Sequence, residues 1–340
     1  MFYIDKYAPK SSDNICFHKD VMDKLKVMSQ DESIPHIIFY GPEGSGKKTI
    51  IKLFLEMIYD KHANDITDSV YNVTGSGNSV VPVTIKQSNY HIIIEPNNNN
   101  FDRYLIQDVV NEYAKKSPLN VFTKKRNFKT VLINNVDNLS YYAQTSLRRT
   151  MEKYSNTCRF ILWCKSLSKV IDPLRSRCFC FKIKSPTKTE IMKLLINVAG
   201  EEQINLDLTT YNKIIRLSER NIKKSLWLLQ LYNYGESFNT SYDDIVKVIV
   251  DKYIISGNIK NIIAIRELLY KIMITNIPGS KIIKDILNYI LVHSNITPMA
   301  KIDIVEIASK YEHRLVLCRR EIMHLEAFIE CVIMIIKKLI

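Results

Sequence analysis

The stretch "GPEGSGKKTI", Gly41 to Ile50, carries the Gly-x-x-x-x-Gly-Lys spacing of a phosphate-binding loop. It is preceded by the apolar run "PHIIFYG" and followed by the helical pattern "KKTIIKLFLEMIYD". Strand, glycine-rich turn and helix are the context in which backbone N–H groups bind phosphate oxygens. Gly41, Pro42, Gly44, Ser45 and Gly46 form the loop, and Lys47 is placed to neutralise phosphate charge. The next position departs from the pattern. A Ser or Thr hydroxyl normally stands there as a Mg²⁺ ligand. Here it is Lys48, whose ammonium has no lone pair to give a metal. Thr49 does not substitute simply, because successive helical residues point about 100° apart.

Four further apolar runs repeat along the first half: "SNYHIIIEPN", "NFKTVLINNV", "CRFILWCK" and "RCFCFKIK". Near-continuous apolar strands separated by helices predict a five-stranded parallel sheet covered on both faces. A helix is predicted over Asp102–Lys116, and "KSPLNVFTKKRN" reads as an exposed basic loop. After "KSPTKTE" the strands stop and the pattern is helical, broken at Gly200, Gly235, Gly257 and Pro278-Gly279. The expected division is an α/β nucleotide-binding domain over 1–184, an all-helical domain over 185–250 and an all-helical C-terminal domain over 251–340.

A phosphate-loop site needs a second element at the end of another strand, where two carboxylates hold metal and water. "VLINNVDNL" places Asn134 and Asn135 there. An Asn cannot act as general base, a role worth about 10²–10⁴-fold. Asp137 is a weak substitute, lying further along the chain. Two independent lesions in one site predict that hydrolysis is lost and that Mg²⁺ binding is weak or absent.

The 340 residues carry a net charge of +13, which favours an anionic partner, nucleic acid first. Seven cysteines without C-x-x-C pairing argue against a disulfide framework or structural zinc and suggest reduced intracellular thiols. The N-terminus, "MFYIDKYAPK", lacks the apolar core of a signal peptide. The tail "AFIECVIMIIKKLI" is interrupted by Glu330 and Lys337/Lys338, so no membrane span is expected.

An ordered set of motifs resembles the small subunits of replication factor C, a clamp loader of the AAA+ superfamily. These are "IDKYAPKS", "YGPEGSGKKT", "AQTSLRRTMEKYSNTCRFIL", "SKVIDPLRSRC", "SERNIKKSL" and "YEHRLVLCRREIMHLEAFIE". The Lys-Lys-Thr variant is similar to the type with a degenerate ATP site, called subunit 3 in humans and 5 in budding yeast. Ala8 stands where that family's N-terminal box has Arg.

The resemblance implies an AAA+ P-loop domain, a helical lid and a helical collar that forms a hetero-pentamer with other replication factor C subunits. It implies loading of a PCNA-type sliding clamp onto primer–template DNA, in the nucleus or, for a virus, in a cytoplasmic replication factory. It implies ATP or ADP as the bound nucleotide, with Tyr3, Ile4, Tyr7 and Pro9 near the adenine. Arg177 of Ser-Arg-Cys would act in trans on a neighbour's nucleotide. Lys165 stands at the sensor-1 position in place of Asn, and Lys223 at sensor 2 in place of Arg, losing the bidentate fork. Arg103 falls where the family has a phosphate-contacting Arg, and Lys124, Lys125 and Arg126 are a second basic patch. Of the adjacent Arg148 and Arg149, at most one reaches a partner. An ATPase-active subunit and a shared scaffold of an alternative or checkpoint clamp loader are the rival readings. The C-terminal motif is expected as one helix, with Leu315, Ile322, Leu325 and Phe328 at helical spacing.

Overall fold

The structure, a computed structural model, describes residues 1–75, 80–96, 102–115, 128–236, 238, 241–255, 262–293, 296–317 and 320–337. The chain divides into two compact units, Met1–Glu236 and Ser237–Ile340.

Among the described residues, the first unit is built on one seven-stranded sheet. The strands are β1 (His36–Tyr40), β2 (Thr67–Thr74), β3 (Val80–Gln87), β4 (His91–Ile94), β5 (Lys129–Ile133), β6 (Cys158–Cys164) and β7 (Cys178–Lys182). Their order is β2-β3-β4-β5-β6-β1-β7. The five strands predicted from sequence are all present, and β4, β5, β6, β1 and β7 run parallel. The other two form an antiparallel hairpin paired from Thr67↔Gln87 to Thr74↔Val80. It joins β4 through Lys86↔Ile93 and Gln87↔Ile92. The sheet is therefore mixed, with a hairpin added to the edge of the expected parallel core.

Alternate residues of a strand face opposite sides, and both sides are covered. Ile38, Ile92, Val131, Phe160 and Leu162 join one apolar core. Ile37, Phe39, Leu132, Ile161 and Trp163 join the other, with Phe54 of the Lys47–Tyr59 helix. The first core takes Ile106, Val109 and Val110 from a helical stretch over 102–115, whose middle, Ile106–Val110, is a π-turn. The predicted basic loop after it lies outside the described residues.

The helices Lys188–Glu201, Leu208–Ser218 and Ile222–Asn233 complete this unit. A capping box starts the first: Glu190 N–H donates to Thr187 Oγ1 at 3.2 Å, and Thr187 N–H donates to Glu190 Oε2 at 2.6 Å.

The contact division falls at Glu236/Ser237, after the Gly235 break, whereas the sequence suggested a boundary near 250. Residue 250 lies inside a helix, because Ser241–Val248 runs on into the π-helical turn Ile249–Ile254. Val246, Ile249, Val250 and Ile254 are buried in the core of the second unit with Leu269, Ile286 and Phe328. The remaining helices there are Ile262–Ile274, Gly279–Val292, Pro298–Leu317 and Glu321–Lys337. The C-terminal motif is thus split between two helices. Leu315 lies in the last turn of one, and Ile322, Leu325 and Phe328 belong to the next, all packed into the same core.

Candidate nucleotide site

β1 delivers the chain into the glycine-rich loop, and the loop's geometry explains its glycines. A Cβ on Gly41 would lie 2.0 Å from the carbonyl oxygen of Ile183. That close approach is set by β7, since Ile183 N–H donates to Tyr40 O at 2.8 Å. Gly44 has φ +71, and a Cβ there would strike Asn221. Ile222 N–H donates to Gly44 O at 3.0 Å, so the start of the Ile222–Asn233 helix is anchored on the loop. Ser45 Oγ donates to Pro42 O at 2.8 Å.

Lys47 is buried, and its Nζ donates to Gly41 O and Pro42 O at 2.6 Å each. The ammonium also lies 5.4 Å from the centre of the Trp163 ring. Burial pulls its pKa down, opposed by the Cys164 and Glu43 side chains. Thr49 is half-buried in the first turn of the helix.

Lys48 is exposed and reaches the end of β4, where its Nζ is 3.5 Å from Glu95 Oε1. The same oxygen accepts from Asn134 Nδ2 at 2.6 Å. Asn134 Oδ1 in turn accepts from Trp163 Nε1 at 2.6 Å. Lys48, Glu95, Asn134 and Trp163 form one connected polar chain, brought together by the Lys47–Tyr59 helix, β4, β5 and β6. Sequence reading found Lys48 and Asn134 but missed Glu95. A cavity of about 240 Å³ borders this chain, lined also by Lys52 and Lys86.

The residues present do not fit a divalent-metal site. An ammonium stands at the hydroxyl position, and the Asn134 amide is engaged at both its atoms. Glu95 already holds Lys48 and Asn134. Among the described residues, no three His, Cys, Asp or Glu side chains stand together as a metal cluster.

Asn135 has φ 47, in the left-handed region, and its buried Oδ1 has no partner among the described residues. Asp137 Oδ2 accepts from Lys165 N–H at 3.2 Å, while its Oδ1 is buried with no hydrogen-bond partner among the described residues. Lys165 Nζ pairs with Glu43 at 2.9 Å, and that contact holds the Glu43 carboxyl below its usual range. Lys223 contributes in the same direction. Both lysines therefore act on a loop carboxylate.

The N-terminal box is tied to the helices after β7. Tyr3 is buried, its N–H donates to Gln230 Oε1 at 3.1 Å, and its hydroxyl accepts from Asn233 Nδ2 at 2.8 Å. Tyr7 OH donates to Glu202 at 2.7 Å, and Ile4 and Pro9 are half-buried nearby in the chain. Arg103 is exposed in the first turn of its helix. Lys124, Lys125 and Arg126 lie outside the described residues.

Arg177 sits between the short helix Asp172–Arg175 and β7. Gln144 braces the segment leading to it. Gln144 Nε2 donates to Leu139 O and Lys169 O at 3.1 Å each, and its Oε1 accepts from Ile171 N–H at 3.0 Å. Sequence reading quoted Gln144 within a motif without assigning it this role.

A P-loop strand inside the parallel core of a mixed sheet, with a helical segment anchored on the loop and a separate helical unit beyond, defines an AAA+ P-loop protein. That fold is a nucleotide-binding one. Residues 242–340 match the family described as Replication factor C subunit 3, C-terminal domain, and residues 17–187 match DNA polymerase III, delta subunit. The chain is 34% identical to replication factor C subunit 3 of Arabidopsis thaliana, covering 97% of this chain and 96% of that protein. It is 32% identical to the Homo sapiens subunit 3, covering 99% and 96%. A protein of Acanthamoeba polyphaga mimivirus, named as a replication factor C small subunit, is 39% identical, covering 97% and 90%. Among solved structures, a DNA polymerase III gamma subunit-related protein of Thermotoga maritima is 12% identical with a TM-score of 0.49, covering 92% and 99%. The chain belongs to the replication factor C small-subunit family, the clamp-loader family of DNA replication. No described helix is long and apolar enough to cross a membrane.

Proposed function

We propose that this chain is a nucleotide-holding, non-hydrolysing subunit of a hetero-pentameric clamp loader. It binds ATP or ADP through the Gly41–Lys47 loop and leaves turnover to its neighbours. The complex places a PCNA-type sliding clamp on primer–template DNA, in the nucleus or in a viral replication factory. Arg177 serves a neighbour's γ-phosphate, where a guanidinium is worth about 10³–10⁵ in rate. Arg103 contacts the DNA backbone without reading sequence. The helices from Lys188 to Asn233 serve as the lid, and the helices of the second unit serve as the collar.

The polar chain Lys48–Glu95–Asn134–Trp163 carries this reading. It fills the positions where metal- and water-holding side chains would stand, while leaving the loop backbone intact. The test is to titrate labelled ADP and ATP into the full chain and to follow phosphate release. Saturable binding without release is expected. Release that disappears in Lys47→Ala overturns the silent-site reading.

The rival reading, an ATPase-active subunit, is favoured by one observation: Asp137 keeps a buried carboxylate oxygen with no hydrogen-bond partner among the described residues. The same release assay on Asp137→Asn decides it, because only an active site working through Asp137 has activity to lose.

A further inference from the structure

Arg177 is held on two sides within its own chain. Its Nη2 is 2.5 Å from Glu152 Oε1, and its Nη1 donates to Pro173 O at 2.7 Å. Ser176 Oγ lies 3.4 Å from the same Nη1. Glu152 stands in the last turn of the Tyr141–Lys153 helix, the helix that Gln144 ties to the segment before Arg177.

One turn earlier on that helix is Arg148. Its Nε is 3.8 Å from the same Glu152 oxygen, and that buried Nε has no hydrogen-bond partner among the described residues. One carboxylate oxygen therefore serves two guanidiniums unequally. It is in close contact with Arg177 and stands just out of hydrogen-bond range of Arg148.

We infer that Glu152 is a positioning residue for Arg177, and that Arg148 is the stand-by partner that receives Glu152 when Arg177 leaves. This rests on the proposed action of Arg177 in trans. Glu152 and Pro173 O hold the guanidinium in one orientation before a neighbour's nucleotide arrives. Both side chains of the pair are partly exposed, 37% for Arg177 and 42% for Glu152. Such a contact is weak and exchangeable in water. A phosphate bearing more charge displaces the carboxylate. The freed carboxylate then closes the short gap to Arg148 Nε, so neither Glu152 nor Arg148 is left unpaired. A small rotation replaces one charge-assisted hydrogen bond by another. Pre-orientation of this kind matters because a misplacement of about 1 Å at a reacting centre costs roughly 10²-fold.

The experiment uses the full chain assembled with its partner subunits. ATP turnover at the neighbouring site that Arg177 serves is compared for wild type, Glu152→Asp, Glu152→Gln and Arg177→Ala. In parallel, the rate of phenylglyoxal adduct formation at Arg177 is followed by peptide mass spectrometry. Glu152→Gln is expected to lower kcat about tenfold with KM for ATP unchanged, a fraction of the full misplacement cost. Glu152→Asp keeps the charge and should recover part of the loss. Arg177 should react several-fold faster in Glu152→Gln than in wild type. A merely structural Glu152 would move neither the adduct rate nor the order of the two variants. If Arg177→Ala abolishes stimulated turnover while Glu152→Gln matches wild type in kcat and adduct rate, the positioning role is overturned and the trans role stands. If Arg177→Ala matches wild type, both are overturned.

Discussion

The Gly41–Lys47 loop and the β5 end at Asn134–Asp137 belong to one site and differ in what they retain. The loop keeps its glycines, its buried Lys47 and the close approach to Ile183 that only Gly41 permits. The strand end has amides where carboxylates are needed, and Asn134 is drawn into a hydrogen-bonded chain with Glu95 and Trp163. Phosphate recognition rests largely on backbone N–H groups and one ammonium. Turnover rests on side chains that hold metal and polarise water. The two functions have separate physical bases, so one can be lost while the other persists.

The sharpest way to break this comparison is to remove Arg177. It lies outside the chain's own loop and strand end, so Arg177→Ala should leave nucleotide affinity of the full chain unchanged. Turnover at the one neighbouring site it serves should fall about 10³–10⁵-fold. Single-turnover hydrolysis in the assembled complex reads that site. Full turnover there would leave Arg177 as a surface residue paired with Glu152.

A second test tries to rebuild the strand end. Lys48→Thr, Asn134→Asp and Asn135→Glu restore the missing groups on paper. Glu95 defeats them, because its Oε1 sits 2.6 Å from the Asn134 amide. A carboxylate at 134 would face a like charge at that distance, which disfavours ionisation of one of the pair. The triple variant is expected to stay inert. Adding Glu95→Gln removes the conflict and should yield turnover above background, toward the roughly 10²–10⁴-fold that a general base contributes. Activity in the triple variant alone would show that Glu95 does not guard the site.

Lys47→Ala tests the retained half. Its Nζ supplies charge-assisted hydrogen bonds of roughly 1.5–3 kcal/mol each. Affinity for ADP should fall about 10- to 100-fold. An unchanged affinity, measured by fluorescence titration, would place the nucleotide elsewhere.

The uneven legibility of the site follows from the same physics. The parallel strands were readable because burial on both faces makes them continuous apolar runs, as in "HIIFY" and "CRFILWC". The β2–β3 hairpin was not. It is mostly open to solvent, with few buried positions, and Pro82 interrupts β3 in a way that speaks against a strand. Lys48 and Asn134 stood out because each breaks a spaced motif. Glu95 breaks none, since it follows an apolar strand and precedes a proline and an asparagine run. Only the alignment of β4 beside β5, Ile94 opposite Ile133, brings it to Asn134. The division into compact units differs from the expected boundary for a related reason. Gly235 and Gly257 are equal breaks in sequence, and only burial of Val246, Ile249 and Val250 in the second core shows which one divides the chain.

The smallest expected effect concerns the metal. In an ordinary P-loop site, chelation removes an ion that bridges phosphate oxygens and hydroxyl ligand, and affinity drops. Here the hydroxyl position holds Lys48, whose ammonium lies 3.5 Å from Glu95 and 5.6 Å from the Trp163 ring centre. Its charge is already at the site without any ion. The proposed reading predicts that EDTA changes ADP affinity by less than about twofold, which is roughly 0.4 kcal/mol. Two controls sharpen the comparison. Lys48→Thr should weaken binding in EDTA, and Mg²⁺ should recover little of the loss while Asn134 remains an amide. An active small subunit of the same family, titrated alongside, should lose affinity on chelation. If the wild-type chain loses as much as that subunit does, Lys48 does not replace the metal's charge. The nucleotide then brings its own water-bound Mg²⁺, and the strand-end lesion acts on water activation alone.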